Sequence, residues 1–322
     1  MIEEIKRLKK VELHLHLDGS VSIDTLHKIS GIDINSLEKE MIANAKCSSL
    51  TEYLTKFDLP IKYMQTKENL TIIAKDLANY LEKENVIYAE IRFAPYFHTK
   101  EGLTYDEVIL SVLDGLKSNQ NVKTNIILCM MRGIDKKENL KTIEIAKKYL
   151  NKGVCAIDLA GDENKYPLDE YTDLFELAKE YNIPYTIHAG ENGDYQEVLK
   201  AINVNTMRIG HGIHSINSKE TIKLLKEKDI LLEICPTSNI QTNSIDLYKN
   251  HPIYYFYKNN LKVCINTDNK TVSNISLTNE YIKLYKQFNF TINDFIKMNK
   301  YALEKAFVSE IEKEKLINYL LK

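Results

Sequence analysis

Two histidines separated by one residue, His14 and His16, stand at the end of a short apolar run near the N-terminus. If that run is a β-strand, side chains at positions i and i+2 point to the same face, so the two imidazoles lie side by side. Imidazole is a common metal ligand in proteins. Ordinary packing also produces so short a motif, so donors elsewhere in the chain must decide whether the pair binds a metal.

Three later segments carry further residues of this kind: His188-Ala-Gly-Glu191, Gly210-His211-Gly212 and Asn266-Thr-Asp268-Asn269. With His14 and His16, His188 and Asp268 would supply three imidazoles and a carboxylate. This set suits Zn²⁺ and leaves room for a water molecule, as catalytic zinc sites require. Glu191 could be held protonated as a general acid. Alternatively, it lies in the first turn of a helix, where the helix dipole favours a carboxylate.

His211 lies between two glycines, which let the backbone approach a site closely. It could be a ligand, a general base or a packed histidine in a tight turn. Glu233, inside an apolar strand pattern, needs a partner if buried, which indicates a carboxylate that supports a metal ligand. A strand residue facing the surface is the alternative for Glu233. The histidines that match no partner pattern are expected to be structural, and they are His27, His98, His214 and His251.

Short apolar, β-branched segments alternate with segments of helical periodicity along the chain. Eight are expected to be strands, at residues 11–17, 86–93, 124–131, 154–159, 184–188, 207–210, 231–235 and 263–266. The alternation predicts an α/β fold, a (β/α)8 TIM barrel forming a single catalytic domain over residues 1–322. An open doubly wound sheet is the alternative, but Asp18-Gly19-Ser20 is not the glycine-rich phosphate loop expected after its first strand.

The interval between the first two strands is longer than one crossover helix requires. We therefore expect residues 23–83 to form extra helices inserted after strand 1, lying over the active face of the barrel. The candidate residues stand at or just past the carboxyl ends of the predicted strands, the end where barrel enzymes build their sites. They are therefore expected to meet at one barrel mouth.

Charge and composition limit the classes of function. The 43 Lys and Arg nearly balance the 45 Asp and Glu, so the chain lacks the excess of positive charge expected of a nucleic-acid-binding protein. No run reaches the ~20 apolar residues of a membrane span, and the N-terminus lacks the apolar stretch of a signal peptide. Five cysteines without C-x-x-C spacing indicate buried thiols in a reducing compartment. We expect a cytoplasmic enzyme that acts on a small-molecule substrate and has no nucleic-acid or membrane partner.

Six ordered segments resemble the adenosine deaminase family, from about residue 11 to residue 280. They are Val11-Glu-Leu-His-Leu-His-Leu-Asp-Gly19, Ala156-Ile-Asp-Leu-Ala-Gly-Asp-Glu163, His188-Ala-Gly-Glu191, Arg208-Ile-Gly-His-Gly212, Glu233-Ile-Cys-Pro-Thr-Ser-Asn239 and Asn266-Thr-Asp268. Residues 53–60 and 88–95 extend the similarity. Six motifs in the same order are far more specific than any one of them.

The resemblance implies one Zn²⁺ per chain, with His14, His16, His188 and Asp268 as ligands. It implies that Glu191 protonates purine N1 and that His211 orients the attacking water and helps to deprotonate it. Substrate contacts are implied for His16, for Asp18 at the ribose hydroxyl, for the Gly161 amide at purine N3, for Asn269 at N7, and for an apolar gate of Leu50, Tyr53, Leu54 and Phe57. The family's best-known pattern has Asp at position 269, whereas the Asn here donates at any pH.

The implied activity is hydrolytic deamination of adenosine and 2′-deoxyadenosine in purine salvage. A deaminase of free adenine or another 6-aminopurine derivative is the alternative, although relatives that act on the base tend to carry Glu at the position of Asp18. A two-metal hydrolase on the same barrel would need a bridging group on strand 4, where only Asp158 stands. A metal-stabilised scaffold would have no use for Glu191 or His211. The oligomeric state is not readable from the residues.

Overall fold

Eight parallel β-strands form the centre of the molecule in a computed structural model that describes residues 1–322. The strands are β1 Lys10–His16, β2 Val86–Phe93, β3 Lys123–Met131, β4 Val154–Ala160, β5 Thr186–Ala189, β6 Arg208–His211, β7 Leu231–Ile234 and β8 Lys262–Ile265. All eight predicted strands are present. Their bounds agree with the prediction to within one residue except at β5, which starts two residues later; the one-residue shift at β6 brings His211 into that strand.

The strands pair in sequence order as two four-stranded sheets, β1 to β4 and β5 to β8. Single parallel bridges join them into a ring: Ile157 with Tyr185 between β4 and β5, and Leu15 with Asp268 beside β8. Every residue of β2 and β4 is buried, because helices cover the outside of the ring and side chains fill its inside. The prediction of a (β/α)8 barrel is confirmed.

Sixteen α-helices connect and cover the strands. They are α1 Ile2–Arg7, α2 Ile23–Ser30, α3 Ile34–Met41, α4 Leu50–Leu54, α5 Asp58–Tyr63, α6 Lys67–Lys83, α7 Tyr105–Lys117, α8 Lys136–Tyr149, α9 Thr172–Glu180, α10 Tyr195–Asn203, α11 Lys219–Glu227, α12 Pro236–Gln241, α13 Ile253–Lys258, α14 Leu277–Phe288, α15 Ile292–Glu304 and α16 Glu310–Leu320. None is both long and apolar enough to cross a membrane.

Helix α6 shows how sequence sets these elements. Thr66 caps its N-terminus: the Thr66 side chain accepts a hydrogen bond from the Asn69 amide and so satisfies one of the free amides of the first turn. Its buried side chains recur at helical spacing, and they are Leu70, Ile73, Ala74, Leu77, Ala78 and Leu81. This apolar stripe packs against the strands and against α7. At Gly115 of α7 a Cβ would lie 2.4 Å from the Thr71 carbonyl, so only glycine permits the close approach of the two helices.

The long connection after β1 contains α2 to α6, as predicted for residues 23–83. Residues of α4 and α5, among them Tyr53 and Ile61, line the cavity at the carboxyl ends of the strands. The opposite end of the barrel is covered by α15 and α16, whose Leu303, Leu316 and Leu320 pack on Val11 and Leu13 of β1. The inserted helices therefore make one wall of the barrel mouth.

The barrel interior below the mouth holds a buried charge network. Arg92 contacts Asp158 at 3.0 Å and Glu233 at 2.8 Å, and Arg208 contacts Glu233 at 2.6 Å and also Glu90. All five side chains are fully buried. Each carboxylate has a guanidinium partner, so the charges are paired rather than isolated. The network fixes Asp158 and Glu233 directly beneath the mouth.

Candidate active site

The predicted metal ligands His14 and His16 of β1, His188 of β5 and Asp268 after β8 meet at the barrel mouth. One nitrogen or oxygen of each lies within 4.8 Å of those of the others. Asp268 Oδ1 is 3.3 Å from His14 Nε2 and 3.4 Å from His16 Nε2. His14 Nε2 is buried and has no hydrogen-bond partner. An unpartnered buried nitrogen that faces a carboxylate and further imidazoles fits a cation-binding role.

Two carboxylates hold the far side of the imidazole rings. Glu233 Oε2 lies 3.0 Å from His14 Nδ1, and Asp158 Oδ2 lies 2.9 Å from His188 Nδ1. Such contacts orient the remaining nitrogen of each ring into the site. Arg92 bonds to both carboxylates. The pKa of each is held below its usual range despite burial, at Asp158 by His188 and Arg92 and at Glu233 by Arg92 and Arg208. The expected supporting role of Glu233 agrees with this contact, whereas sequence reasoning gave Asp158 no such role.

A second group of possible ligand atoms combines His14, His211, Cys235 and Asp268. Burial raises the pKa of the Cys235 thiol well above its usual range. Its Sγ donates towards the backbone carbonyl of Glu233 at 3.7 Å. A thiol whose proton is engaged in this way is a poor ligand, since the thiolate is the binding form. The set with three imidazoles and Asp268 fits a divalent cation better.

Two of the site residues have left-handed backbone conformations. His211 has φ 63° and Asp268 has φ 62°, and every other non-glycine residue with positive φ is an asparagine except Asp229. Such conformations cost energy and cluster at functional sites. The glycines on either side of His211 allow close packing around it. Gly212 has a left-handed φ of 65°, and a Cβ on Gly210 would lie 3.0 Å from His14 Cε1.

Glu191 lines the same cavity as the predicted ligands His16, His188 and Asp268. Its carboxyl is buried, and burial together with the charges of Asp268 and Glu163 raises the pKa of Glu191 well above the usual range for a carboxyl. Its Oε2 lies 3.7 Å from Nε2 of His211. A carboxyl whose pKa is raised in this way holds its proton more strongly and can donate it to an acceptor in the cavity, as a general acid must.

The loop that carries Glu191 is held by Glu163, to which sequence reasoning assigned no role of its own. The Glu163 carboxylate accepts four backbone N–H groups, from Gly190, Glu191 and Asn192 at 2.7 Å and from Gly193 at 2.8 Å. Charge-assisted bonds to backbone amides are among the stronger hydrogen bonds in proteins. The available signal was an acidic residue just past the end of strand 4, but nothing local indicated four amides from another loop.

A cavity of about 520 Å³ opens above these residues. Its walls include every substrate-binding candidate, and these are His16, Asp18, Leu50, Tyr53, Leu54, Phe57, Gly161 and Asn269. His188, Glu191, His211 and Asp268 face the same space. Sequence reasoning missed other lining side chains, among them Ile61, Phe97 and Met131. The volume is within the range of small-molecule sites.

Hydrogen bonds connect the gate residue Tyr53 with Asn269, which also lines this cavity, and with Ser273. Asn269 Nδ2 donates to the Tyr53 hydroxyl at 3.1 Å, and that hydroxyl lies 2.7 Å from Ser273 Oγ. A Cβ on Gly19 would lie 2.0 Å from Asn269 Oδ1, so the amide is packed directly on this glycine. Burial raises the pKa of Asp18 to about 6. Asp18 and Asn269 both line the cavity and lie close in the sequence to the predicted ligands His16 and Asp268.

The four remaining histidines lie outside the cavity lining. His27 Nδ1 bonds to the Ile32 carbonyl at 2.7 Å near the surface. His98 is buried with no hydrogen-bond partner for either ring nitrogen, and Nδ1 of His214 is likewise unpartnered. His251 contacts Asn239, which in turn contacts His211. His251 is therefore connected to the site through one intermediate residue.

Comparison with known proteins agrees with this geometry. Residues 9–322 match the family profile described as "Adenosine deaminase". An adenosine deaminase of Clostridium botulinum (strain 657 / Type Ba4) is 43% identical, over 98% of this chain and 99% of its own length. Similarity of this extent covers the barrel and the inserted helices alike.

Solved structures share the fold. The N6-methyl-AMP deaminase from Arabidopsis thaliana superposes with a TM-score of 0.88 at 26% identity, covering 99% of this chain and 98% of that one. The adenine deaminase from Arthrobacter aurescens gives a TM-score of 0.88 at 22% identity, covering 98% of both chains. Proteins of one architecture thus act on a base and on a nucleotide, so the choice of substrate depends on the residues of the cavity.

Proposed function

Because this chain belongs to the adenosine deaminase family, whose members act by hydrolytic deamination, we propose that its barrel mouth converts adenosine and 2′-deoxyadenosine to inosine and 2′-deoxyinosine with release of ammonia. The observation that carries the proposal is the convergence of three imidazoles and two carboxyl groups, Asp268 and Glu191, on one cavity. All of these residues belong to one barrel, which supports a single catalytic domain over residues 1–322.

The family is metal-dependent, and we propose that the metal here is one Zn²⁺ per chain, held by His14, His16, His188 and Asp268. The unpartnered His14 Nε2 and the mixture of imidazole and carboxylate donors support zinc. A bound zinc ion supplies Lewis acidity that makes water a stronger nucleophile near neutral pH. Glu233 and Asp158 keep the ligand rings oriented for this purpose.

Glu191 is the proposed general acid. Its raised pKa favours the protonated carboxyl, and donation of that proton to purine N1 would make C6 more electrophilic. Water then adds at C6, and the amino group leaves as ammonia, so the overall change exchanges an amino group for an oxygen. The proposed role of His211 is to orient the attacking oxygen, and its position 3.7 Å from Glu191 supports this role. The buried position of both side chains strengthens these contacts by excluding bulk water.

Asp18 and the gate support a nucleoside over a free base. Asp18 lines the cavity next to the ligand-bearing strand and can accept a hydrogen bond from a ribose hydroxyl. Gly161, Asn269, Leu50, Tyr53, Leu54 and Phe57 line the same cavity. The proposal assigns Gly161 and Asn269 to the purine and the other four residues to an apolar gate over the nucleoside. We also propose a cytoplasmic location, since all five cysteines are free and buried, as is usual in a reducing compartment.

The test is the relative rate of ammonia release from adenosine, 2′-deoxyadenosine and adenine under identical conditions. The proposal expects both nucleosides to react with higher kcat/KM than the base. Asp18→Ala should reduce kcat/KM for the nucleosides and leave the slow reaction of adenine nearly unchanged. Faster turnover of adenine than of adenosine by the unaltered enzyme would overturn the choice of substrate.

A further inference from the structure

Three buried polar side chains form a chain that starts at a backbone amide and ends at His211. The Ile253 N–H donates to Nδ1 of His251 at 3.2 Å. Nε2 of His251 lies 3.2 Å from Oδ1 of Asn239, and Nδ2 of Asn239 lies 3.0 Å from Nδ1 of His211. All three side chains are at most 3% exposed, so water does not compete for these contacts.

The amide at the start fixes the direction of every later hydrogen bond. A backbone N–H can only donate, so Nδ1 of His251 accepts. Burial lowers the pKa of His251 to about 3, so its ring is neutral and carries a single proton, which must be on Nε2. That N–H donates to the carbonyl oxygen of Asn239. The amide nitrogen of Asn239 is thereby turned towards His211.

The last bond determines the tautomer of His211. Since Asn239 donates to Nδ1, a neutral His211 ring carries its proton on Nε2. This Nε2 is the nitrogen that faces the site: it has no partner in the protein and lies 3.7 Å from the Glu191 carboxyl. The left-handed backbone at His211, φ 63°, also needs surroundings that hold it in place.

We propose that Asn239 and His251 are positioning residues that hold His211 in the tautomer protonated on Nε2, so that it presents a hydrogen-bond donor to the reacting oxygen. A ring nitrogen that already carries hydrogen does not take up a second proton. Of the two roles expected of His211, the proposal therefore keeps the orientation of the attacking water and drops its deprotonation. The catalytic importance of this tautomer rests on the proposed function, whereas the hydrogen-bond chain itself does not.

The tautomer can be measured directly in the metal-loaded enzyme by ¹⁵N NMR of the histidine side chains, with His211 assigned by its loss in His211→Asn. The unaltered enzyme should show His211 protonated on Nε2. Asn239→Asp replaces the donor with an acceptor of the same size, so Nδ1 of His211 should become protonated. A His211 protonated on Nδ1 in the unaltered enzyme would overturn the proposal.

Steady-state kinetics test whether the chain matters for turnover. Asn239→Asp should lower kcat for adenosine by about tenfold or more and change KM by no more than about threefold. The reason is that Nε2 of His211 would lose the hydrogen that it donates to the reacting oxygen, whereas substrate binding does not depend on that bond. His251→Leu should also lower kcat. His251→Gln should keep most of the kcat of the unaltered enzyme, since an amide N–H can replace the imidazole donor. This pair keeps the test decisive if Asn239→Asp does not fold.

His98→Leu is the matched control, because His98 is also buried but takes no part in the hydrogen bonds that connect His251, Asn239 and His211. Its kcat should stay within about twofold of the unaltered enzyme. Equal kcat values for His251→Leu and His251→Gln would show that His251 only fills space, and would contradict the proposal. An unaltered enzyme that fails to deaminate adenosine would refute the proposed function but leave the tautomer measurement valid.

Discussion

The carboxylate of Glu163 accepts the backbone N–H of Glu191 at 2.7 Å, and three neighbouring amides of the same loop bond to that carboxylate. The proposed acid is thus placed by a second carboxylate from the preceding strand–loop unit. That carboxylate also contributes to the raised pKa of Glu191. One residue therefore sets both the position and the proton affinity of another.

Glu163→Gln is expected to lower kcat by at least about tenfold, because an amide cannot accept four N–H groups and its own N–H opposes them. Unpaired buried amides should also reduce the free energy of unfolding by about 1–3 kcal/mol. Adenosine kinetics and denaturant unfolding measure the two effects. Glu170→Gln, an exposed change, is the control. Unchanged kcat in Glu163→Gln would contradict the positioning role.

Asp158→Asn is expected to weaken zinc binding by about 10- to 100-fold, because the carboxylate that orients His188 loses its charge. The measurement is competition for zinc against a chelator of known affinity. Asp106→Asn, a substitution on the surface of α7, should bind zinc like the unaltered protein. If Asp158→Asn also retained full zinc affinity, the contact with His188 would have no functional weight.

Asn269→Asp is expected to retain activity at mildly acidic pH and to lose more of it than the unaltered enzyme as the pH rises. A carboxyl at this position must be protonated to donate to purine N7, whereas the amide donates at any pH. The pH profile of kcat/KM reports the difference. Coincident profiles for the two proteins would remove Asn269 from substrate recognition.

His98 should make the fold sensitive to acid. Burial lowers the pKa of His98 from 6.5 to about 4. As the pH falls from about 6.5 to 4, the unfolded chain binds a proton that the folded chain does not, so stability is lost over this range and not above it. The loss amounts to about 3 kcal/mol. His98→Leu should lose less stability than the unaltered protein between pH 7 and pH 4, measured by denaturant unfolding; equal losses would argue against this cause.

The sequence predicted the barrel because its strands are continuous apolar runs and its helices keep a regular period, both of which are local properties. His14, His16, His188 and Asp268 could be grouped because parallel strands in a barrel bring their carboxyl ends together. The four amides on Glu163 could not be predicted, since they depend on how two loops pack. The same holds for the link from His251 to His211, which joins residues 40 positions apart through Asn239.

The central claim is that one zinc ion and the Glu191 carboxyl together deaminate adenosine at this barrel mouth. The most direct test measures inosine formation and zinc content in the unaltered enzyme and in Glu191→Gln. We expect one zinc per chain in both proteins, and a loss of kcat of at least about 100-fold in Glu191→Gln. Full activity of Glu191→Gln at equal zinc content, or two tightly bound zinc ions per chain, would contradict the account.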